Sequence, residues 1–321
     1  MRASIFAVGS GLVLTALAVF GGAGCAVSTD SSENVGSAQQ ALTSTDYFDA
    51  AGLVQIRVKT CDWTAALEHP VTTCSVDPGF VLVGGGAEVE GSASGGGLLT
   101  HSFPANKATW VAASKDHVVA FSHRLRAYAV GMALSGMDST TLSNLVTINS
   151  GTSGASHAPS IEVAAPDFNI LLSGGATANY QGAGQLLTDS HPASDNANAW
   201  VAASKDHQVS DVSTVTAYVI SVPVCLNNQW PNGSCLNVTS PSNSTFVSTG
   251  YGLATVNTPA GWAPLGVGGR ARWSGAGRLL TDLFPTNSVG GPGATAYSKD
   301  HDIVEGNTTD VWAMSVQGVK F

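Results

Sequence analysis

The string WVAASKDH occupies residues 110–117 and occurs again without change at residues 200–207. A weaker copy, ATAYSKDH, covers residues 294–301. The second copy follows the first by 90 residues, and the third follows the second by 94. A string repeated at so regular a spacing predicts one of two things: a ligand or catalytic motif used three times, or a scaffold element that a repeated fold requires.

The similarity extends well beyond these eight letters. Two further shared segments precede each copy. The first is LVGGGAEV, LLSGGATA or LGVGGRAR, and the second, between the first and the copy, is GGGLLTHSFP, GAGQLLTDSHP or GAGRLLTDLFP. An aromatic residue stands 11 positions after each motif histidine, at Tyr128, Tyr218 and Trp312. This shared register indicates a triplication, and we assign the repeats to residues 47–137, 138–226 and 227–321.

Each repeat has the pattern of β-strands. Short apolar and β-branched runs alternate with clusters of Gly, Asn, Pro and Ser, and no stretch carries a convincing helical stripe. About fifteen strands are expected in total. The clearest predicted strands cover residues 80–89, 98–103, 109–117 and 125–134, and further strands are expected at 53–60 and 159–164.

The repeats are expected to form one composite domain. A single repeat is too small and too sheet-like to bury both faces of its strands, so the three repeats should pack around a shared core. We therefore predict an all-β fold with pseudo-threefold symmetry, of a β-prism-like or closed three-sheet kind. A trefoil-like barrel is the first alternative, and three separate units in a row are the second.

Composition limits the function classes. The formal charge is −9, charged residues make up 11% of the chain, and 37 residues are glycine. Nucleic-acid grooves and anionic-membrane patches need clustered Lys and Arg, and the sequence shows no such cluster. An acidic, polar surface is typical of secreted proteins, so we expect no nucleic-acid partner.

Alternation along the repeated strand predicts which of its residues share a face. Trp110 lies on one face with Ala112, Ser114 and Asp116, while Lys115 and His117 lie on the other. The first face keeps small residues in all copies and is predicted to be packed, whereas the second is predicted to be freer. The same assignment applies to Trp200, Lys205, Asp206 and His207 and to Lys299, Asp300 and His301.

Four interpretations of these motif residues compete. The aspartates are expected to accept backbone N–H groups in the turn that follows each strand. The histidines could converge on a shared axis as zinc ligands, although spacing alone cannot establish convergence. A hydrolase could use Asp, His and Ser, but the chain has no G-x-S-x-G elbow. Three similar shallow sites for sugars are the fourth interpretation.

The N-terminus has the pattern of a targeting segment. Arg2 precedes the apolar run SIFAVGSGLVLTALAVF, and GGAGC places small residues before Cys25. This pattern resembles a bacterial lipoprotein signal, which implies cleavage after residue 24 and lipidation of Cys25. The lipobox is atypical, since Gly22 stands where Leu is usual, so ordinary signal-peptide cleavage is the alternative. A polar tether is expected over residues 25–46.

Four cysteines remain once Cys25 is set aside. They form two close pairs in the sequence, and an exported chain with an even cysteine count favours local disulfides. We predict the bonds Cys61–Cys74 and Cys225–Cys235. Neither pair has the spacing of a zinc site.

The repeat itself resembles segments of secreted bacterial proteins. The matching residues in the first repeat are CSVDPGFVLVGGGA (74–87), the hairpin at 99–104 and the YAV at 128–130. The second and third repeats lack the cysteine of this pattern. The resemblance implies an extracellular β-module and implies no particular activity.

Together these observations predict an exported, surface-exposed binding or adhesion module, anchored by lipid in the outer membrane or released outside the cell. Glycans or other cell-surface polymers are the candidate ligands, and the membrane is contacted only through the N-terminal lipid. No catalytic residue, cofactor or metal is assigned. The alternative is an extracellular hydrolase that uses the repeated Asp and His residues.

Overall fold

The computed structural model describes residues 43–91, 96–193, 198–226, 229–230, 233–275, 277–288 and 290–320. The predicted signal segment, Cys25 and most of the predicted tether lie outside these residues. The first strand begins at Thr43, so it includes the last four residues assigned to the tether. No helix in the described part of the chain is both long and apolar enough to cross a membrane.

The described residues form twenty strands and one short helix. The first seven strands are β1 (Thr43–Phe48), β2 (Val54–Thr60), β3 (Val71–Ser75), β4 (Val81–Val89), β5 (Leu98–Pro104), β6 (Thr109–Lys115) and β7 (Leu125–Leu134). The second repeat contains α1 (Ser139–Leu145), β8 (Thr147–Thr152), β9 (Ser160–Ala164), β10 (Asn169–Asn179), β11 (Leu186–Pro192), β12 (Ala199–Lys205) and β13 (Thr214–Pro223). The third contains β14 (Cys235–Thr239), β15 (Ser242–Val247), β16 (Tyr251–Asn257), β17 (Ala263–Ala271), β18 (Leu279–Ser288), β19 (Gly291–Lys299) and β20 (Asn307–Val319).

The all-β prediction is confirmed. Strands β4, β5, β6 and β7 match the predicted ranges to within two residues at each end, and β2 and β9 lie where further strands were expected. The total of twenty described strands exceeds the expected number. The additional strands include β1, β8 and β15, whose side chains are mostly polar and none of which is buried, so they lack the apolar alternation that marks a strand in sequence.

The helix α1 was not predicted from the sequence. It begins after Asp138, whose side chain accepts a hydrogen bond from the Thr141 backbone N–H at 2.9 Å, as an N-cap residue does. It has seven residues and buries only Leu142 and Leu145. Two apolar residues in two turns are too few to produce a visible helical stripe.

The strands form three antiparallel sheets. Sheet 1 has the order β1-β2-β7-β4-β18-β19-β16, and sheet 2 has the order β3-β6-β5-β10-β13-β8. Sheet 3 has the order β14-β20-β17-β11-β12-β9, with β15 also paired to β20. Three separate sheets, rather than a single barrel, carry the repeats, which agrees with the three-sheet prediction and not with the trefoil-like alternative.

Each sheet combines strands of two repeats. The β5–β6 hairpin of the first repeat extends sheet 2 beside β10 of the second, and the β11–β12 hairpin of the second extends sheet 3 beside β17 of the third. The β18–β19 hairpin of the third repeat returns to β4 of the first. This exchange is cyclic, as it would be if a pseudo-threefold axis related the repeats. One continuous cluster of buried apolar side chains runs through all three repeats.

The Gly-Gly segments allow the backbones to approach at the three junctions between repeats, which we call seams. A Cβ atom added to Gly86 would lie 2.5 Å from the carbonyl oxygen of Leu283, and one added to Gly175 would lie 2.5 Å from that of Ser102. A Cβ at Gly268 would lie 2.9 Å from the Cα of His191. Each of these glycines therefore permits contact with the hairpin of another repeat.

The preceding glycine makes room for the motif tryptophan. A Cβ at Gly85 would lie 2.3 Å from the Trp110 ring, and one at Gly174 would lie 2.4 Å from the Trp200 ring. The third repeat has Val267 at the matching register, because Val267 pairs with Ala313 as Gly85 pairs with Ala129. It also has Ala294 in place of the tryptophan, so a larger residue on β17 accompanies a smaller residue on β19.

Both predicted disulfides are confirmed, and each links two sheets. Cys61 directly follows β2 of sheet 1 and is bonded to Cys74 in β3 of sheet 2. Cys225 follows β13 of sheet 2 and is bonded to Cys235 at the start of β14 in sheet 3. Two disulfides in one chain indicate an oxidising compartment.

Candidate functional site

The motif lysines are buried, so the prediction that their strand face is the freer one was wrong. Lys115 Nζ donates hydrogen bonds to the carbonyl oxygens of Gly182, Ala183 and Gly184, at 3.2, 2.7 and 2.7 Å. These carbonyls belong to the Gly-rich loop of the second repeat, which covers the face predicted to be free. Alternation predicts which residues share a face, but it does not reveal that a loop of another repeat covers that face.

The second lysine makes the equivalent contact with the third repeat. Lys205 Nζ donates to the carbonyl oxygen of Gly275 at 3.0 Å. An aromatic ring lies beside each ammonium group, with Lys115 Nζ 3.8 Å from the Tyr180 ring centroid and Lys205 Nζ 4.5 Å from that of Trp273. Burial lowers the pKa of both lysines to about 8.

Lys299 occupies the matching position in the third copy and is also buried. Burial lowers its pKa to about 8 as well. The matching loop of the first repeat includes residues 92–95, which lie outside the described residues.

The three motif histidines meet in a closed cycle of hydrogen bonds. The Nε2–H of His117 donates to the carbonyl oxygen of His207. The Nε2–H of His207 donates to the carbonyl oxygen of His301 at 2.7 Å, and the Nε2–H of His301 donates to the carbonyl oxygen of His117 at 2.6 Å. The ring centroids lie 5.2 to 5.6 Å apart, and all three side chains are buried. The histidines were predicted to lie on the freer face, and they lie instead at a junction of all three repeats.

The Nε2 atoms of the three converging histidines are not available to bind a metal ion. Each Nε2 atom donates its hydrogen to a carbonyl oxygen, so its lone pair cannot bind a cation, which a histidine ligand must do. Among the described residues, no group of three or more His, Cys, Asp and Glu side chains is arranged to hold a metal ion.

The motif aspartates hold backbone and histidine N–H groups. Asp116 accepts the backbone N–H of Phe121 at 3.0 Å and lies 2.8 Å from Nε2 of His69. Asp206 makes the same contacts in the second repeat, to the backbone N–H of Asp211 at 3.3 Å and to His157 Nδ1 at 2.7 Å.

Asp300 has different partners in the third repeat. It accepts the backbone N–H of Gly250, in the loop before β16, at 2.7 Å. Its other carboxylate oxygen lies 3.7 Å from the buried guanidinium of Arg278.

The motif serines have a different partner in each copy. Ser114 Oγ lies 2.8 Å from His123 Nε2, whereas Ser204 donates to Gln185 at 2.7 Å, and Ser298 accepts from Arg278 at 3.1 Å. All three serines are buried. The partners of the serine are thus chemically different in the three copies. A packing role tolerates this change of partner, whereas a catalytic serine needs a base as its partner.

The motif tryptophans are buried as predicted. Trp110 Nε1–H donates to Ser102 Oγ and Trp200 Nε1–H donates to Ser190 Oγ, both at 3.1 Å. The repeated string is thus mostly buried in every copy. Some of its residues still line grooves, since Val201 and Ala203 border a groove on sheet 3 and Lys299, Asp300 and His301 border a cavity of about 250 Å³.

The aromatic residues that follow the motif mark the three seams. Each of them stacks on a ring from the hairpin of another repeat. The pairs are Tyr128 with Phe284, Tyr218 with Phe103, and Trp312 with His191, at centroid distances of 5.6, 4.8 and 4.4 Å.

The seam of sheet 3 carries a groove of about 600 Å³, which we call the Arg groove. Its lining includes Arg270, Arg272, Trp273, Asp189, His191 and Glu162. Arg270 Nε lies 2.9 Å from Asp189, and Arg272 Nε lies 2.7 Å from Asp310. Both carboxylates are buried, while 44% and 51% of the two arginine side chains are exposed.

A second groove, of about 440 Å³, lies over sheet 1. Tyr47, Tyr128 and Phe284 line it together with hydroxyl and amide side chains such as Thr286 and Asn257. The described residues that line it are aromatic, apolar or uncharged polar, and none of them is charged.

The residues shared by all the copies do not predict the Arg groove. The available signal was a difference between copies. At the register of Arg270 and Arg272, the first repeat has Glu88 and Glu90 and the second has Thr177 and Asn179, so the three seams carry different charges. No protein-family model matches the chain, and no curated protein is similar to it.

Proposed function

We propose that this chain is an exported, non-catalytic binding module that recognises glycans on cell surfaces through the Arg groove. The observation that carries the proposal is the lining of that groove. Trp273, which is 37% exposed and follows the end of β17 by two residues, stands beside guanidinium, carboxylate and imidazole groups. Sugar-binding sites use the same combination, because aromatic faces stack on pyranose rings and polar groups bind the hydroxyls.

The position of the repeated motif also supports a binding function. Most of its Lys, Asp, His and Ser side chains form contacts between and within repeats, whereas Lys299 Nζ is buried without a hydrogen-bond partner among the described residues. A hydrolase that used these residues would need at least one nucleophile or general acid accessible to substrate. The hydrolase alternative therefore draws no support from the geometry of the motif.

A glycan array probed with the mature protein tests the proposal. We expect binding to a defined set of glycans, and we expect Trp273→Ala to weaken it by at least about tenfold through loss of stacking. Trp63→Ala is the matched control, because Trp63 is also a partly buried tryptophan beside an arginine, with Arg126 4.4 Å from its ring centroid. Absence of binding, or equal losses in both variants, would contradict the proposal.

Surface display is the second part of the proposal, and it rests on the N-terminal signal together with the disulfides. We expect radiolabelled palmitate to be incorporated in a bacterial host and Cys25→Ser to abolish incorporation. Incorporation that persists in Cys25→Ser, or that never occurs in the original chain, would exclude lipidation at this cysteine.

A further inference from the structure

We infer that the Arg groove selects anionic glycans, namely polymers that carry carboxylate groups such as uronic-acid chains. This inference rests on the glycan-binding function proposed above and names the ligand class of the same site. Arg270 lies in β17, and Arg272 directly follows the end of that strand. The backbone N–H of Arg272 donates to the Thr308 carbonyl at 2.9 Å, so the strand pairing continues and both arginines project from the same face of sheet 3.

Buried carboxylates lie against both guanidinium groups: Arg272 Nε donates a hydrogen bond to Asp310 at 2.7 Å, whereas Arg270 forms an ion pair with Asp189 without a hydrogen bond. Asp189 comes from the neighbouring strand β11, where it is the register partner of Arg270, and Asp310 is the partner of Arg270 in β20. In the described part of the chain, each arginine contacts its carboxylate through Nε. The terminal nitrogen atoms of a guanidinium held in this way can form the paired hydrogen bonds that match a carboxylate.

The two carboxylates lie deeper in the groove than the two guanidinium groups, which makes the groove attractive to anions. Asp189 and Asp310 are buried beneath the sheet surface, whereas about half of each arginine side chain faces solvent. Ser244 also donates a hydrogen bond to Asp310, at 2.6 Å, so this carboxylate is stabilised independently of Arg272. An incoming anion therefore meets these two guanidinium groups before it meets Asp189 and Asp310.

The other ionisable groups in the groove suit a ligand that has both hydroxyls and carboxylates. Glu162 is exposed on β9, at the far wall from β17, and can accept hydrogen bonds from sugar hydroxyls. His191 is buried, with its ring stacked on Trp312 at 4.4 Å, and it lies 3.6 Å from Asp189. A polymer of uronic acids presents carboxylates and hydroxyls along one chain, as this lining requires.

Trp273 supplies the stacking surface next to the two arginines. Lys205 Nζ lies 4.5 Å from its ring centroid and holds the indole by a cation–π interaction. The side chain that positions the tryptophan is thus itself fixed by the second repeat, since Lys205 belongs to β12. The Arg groove is accordingly built from residues of two repeats.

Binding of galacturonic-acid hexamers and of their fully methyl-esterified form tests the inference, because esterification removes the charge of each carboxylate and adds only a methyl group. We expect the acidic hexamer to bind at least about tenfold more tightly at low salt, with the difference decreasing as salt is added. Arg270→Gln and Arg272→Gln should each remove most of this preference. Arg124→Gln is the matched control, since Arg124 is 45% exposed and paired to Glu90 on sheet 1.

Each outcome decides between the two proposals. Equal affinity for the acid and the ester would overturn the inference and leave the glycan-binding function standing, whereas failure of both ligands and of the glycan array would overturn both. A preference that survives in Arg270→Gln and Arg272→Gln would place the anion site elsewhere and overturn the inference. Should Arg272→Gln fail to fold, Arg272→Lys keeps the charge beside Asp310 and should still lose affinity, because lysine cannot form the paired contact.

Discussion

Each of the three motif histidines, which we call axial because they meet where the three repeats join, links two repeats through its side chain and its backbone. Its Nε2–H donates to the carbonyl of the next histidine in the cycle, and its own carbonyl accepts from the previous one. The same carbonyl also accepts the backbone N–H two residues later, at 2.6 to 2.7 Å, and the residue between has a positive φ of 58° to 65°. These turns resemble γ-turns, which are rare in proteins and store strain.

Replacement of one axial histidine tests the importance of this cycle. We expect His207→Ala to lower the free energy of unfolding by about 2–4 kcal/mol, because it creates a cavity and leaves the His301 carbonyl without its ring donor. Val209→Ala is the control, since Val209 lies two residues away and is exposed. Urea denaturation measures both variants. A loss as small as that of the control would show that the cycle contributes little.

His101 is expected to make the protein sensitive to acid. Burial, with a smaller effect of the Lys115 charge, lowers the pKa of His101 to about 4 from the ordinary value of 6.5. Between these two pH values the unfolded chain binds the proton and the folded chain does not, so the free energy of unfolding falls as the pH is lowered from 6.5 to 4. The shift corresponds to about 3 kcal/mol.

Denaturation curves recorded between pH 4 and 7 test this expectation. His101→Gln should reduce the slope of stability against pH in that window. A residual slope is expected, because burial also lowers the pKa of His123 and His301. An unchanged slope in His101→Gln would mean that other groups account for the acid sensitivity.

The sequence predicts the residues of the motif better than their surroundings. The packing of Trp110 and the turn contact of Asp116 follow from alternation and from the chemistry of a short carboxylate side chain. The burial of Lys115 does not, because its carbonyl partners come from a loop nearly 70 residues away in the chain. Contacts of that range depend on how the repeats assemble, which a local pattern does not encode.

At the scale of strands, the third repeat uses a different solution to the same packing problem. The first two repeats place a tryptophan of the hairpin against a glycine of the preceding strand. The third has Ala294 and Val267 at these positions, and both are buried. It also has Leu283 at the register of Ser102, the residue that binds the indole N–H in the first repeat.

A double-mutant cycle tests whether Ala294 and Val267 compensate for each other. Ala294→Trp should destabilise the protein by about 1–3 kcal/mol, because Val267 fills the space that the indole needs. Val267→Gly in the same chain should recover at least about 1 kcal/mol, although it would be destabilising alone. Additive effects of the two substitutions, measured by urea denaturation, would show that these positions do not interact.

Strand positions are the part of the fold that the sequence predicts most accurately. Strands such as β4 and β7 are long, apolar and bounded by Gly or polar turns, so their ends are visible. The partner of each hairpin is not visible in the same way. The three repeats share one pattern, so the pattern fits pairing within a repeat as well as pairing between repeats.

At the scale of the whole molecule, the exchange of hairpins makes every sheet depend on two repeats. In the first repeat, β4 and β7 belong to sheet 1, whereas β3, β5 and β6 belong to sheet 2. The disulfide between Cys61 and Cys74 ties these two groups of strands together. A separated first repeat would therefore present two unpaired sheet edges, and it would lose the strands that cover its apolar faces.

Cutting the chain between residues 137 and 138 tests this dependence. We expect the fragment of residues 43–137 to show no cooperative unfolding transition, because β10 and β18, the partners of β5 and β4, are absent. Mixing it with the fragment of residues 138–321 should restore strand content and a cooperative transition, since the two fragments together contain all three seams. The fragments are measured by circular dichroism in urea, separately and mixed. A first repeat that unfolds cooperatively alone would show that the repeats are independent domains, and that the exchange of hairpins is not what holds the sheets together.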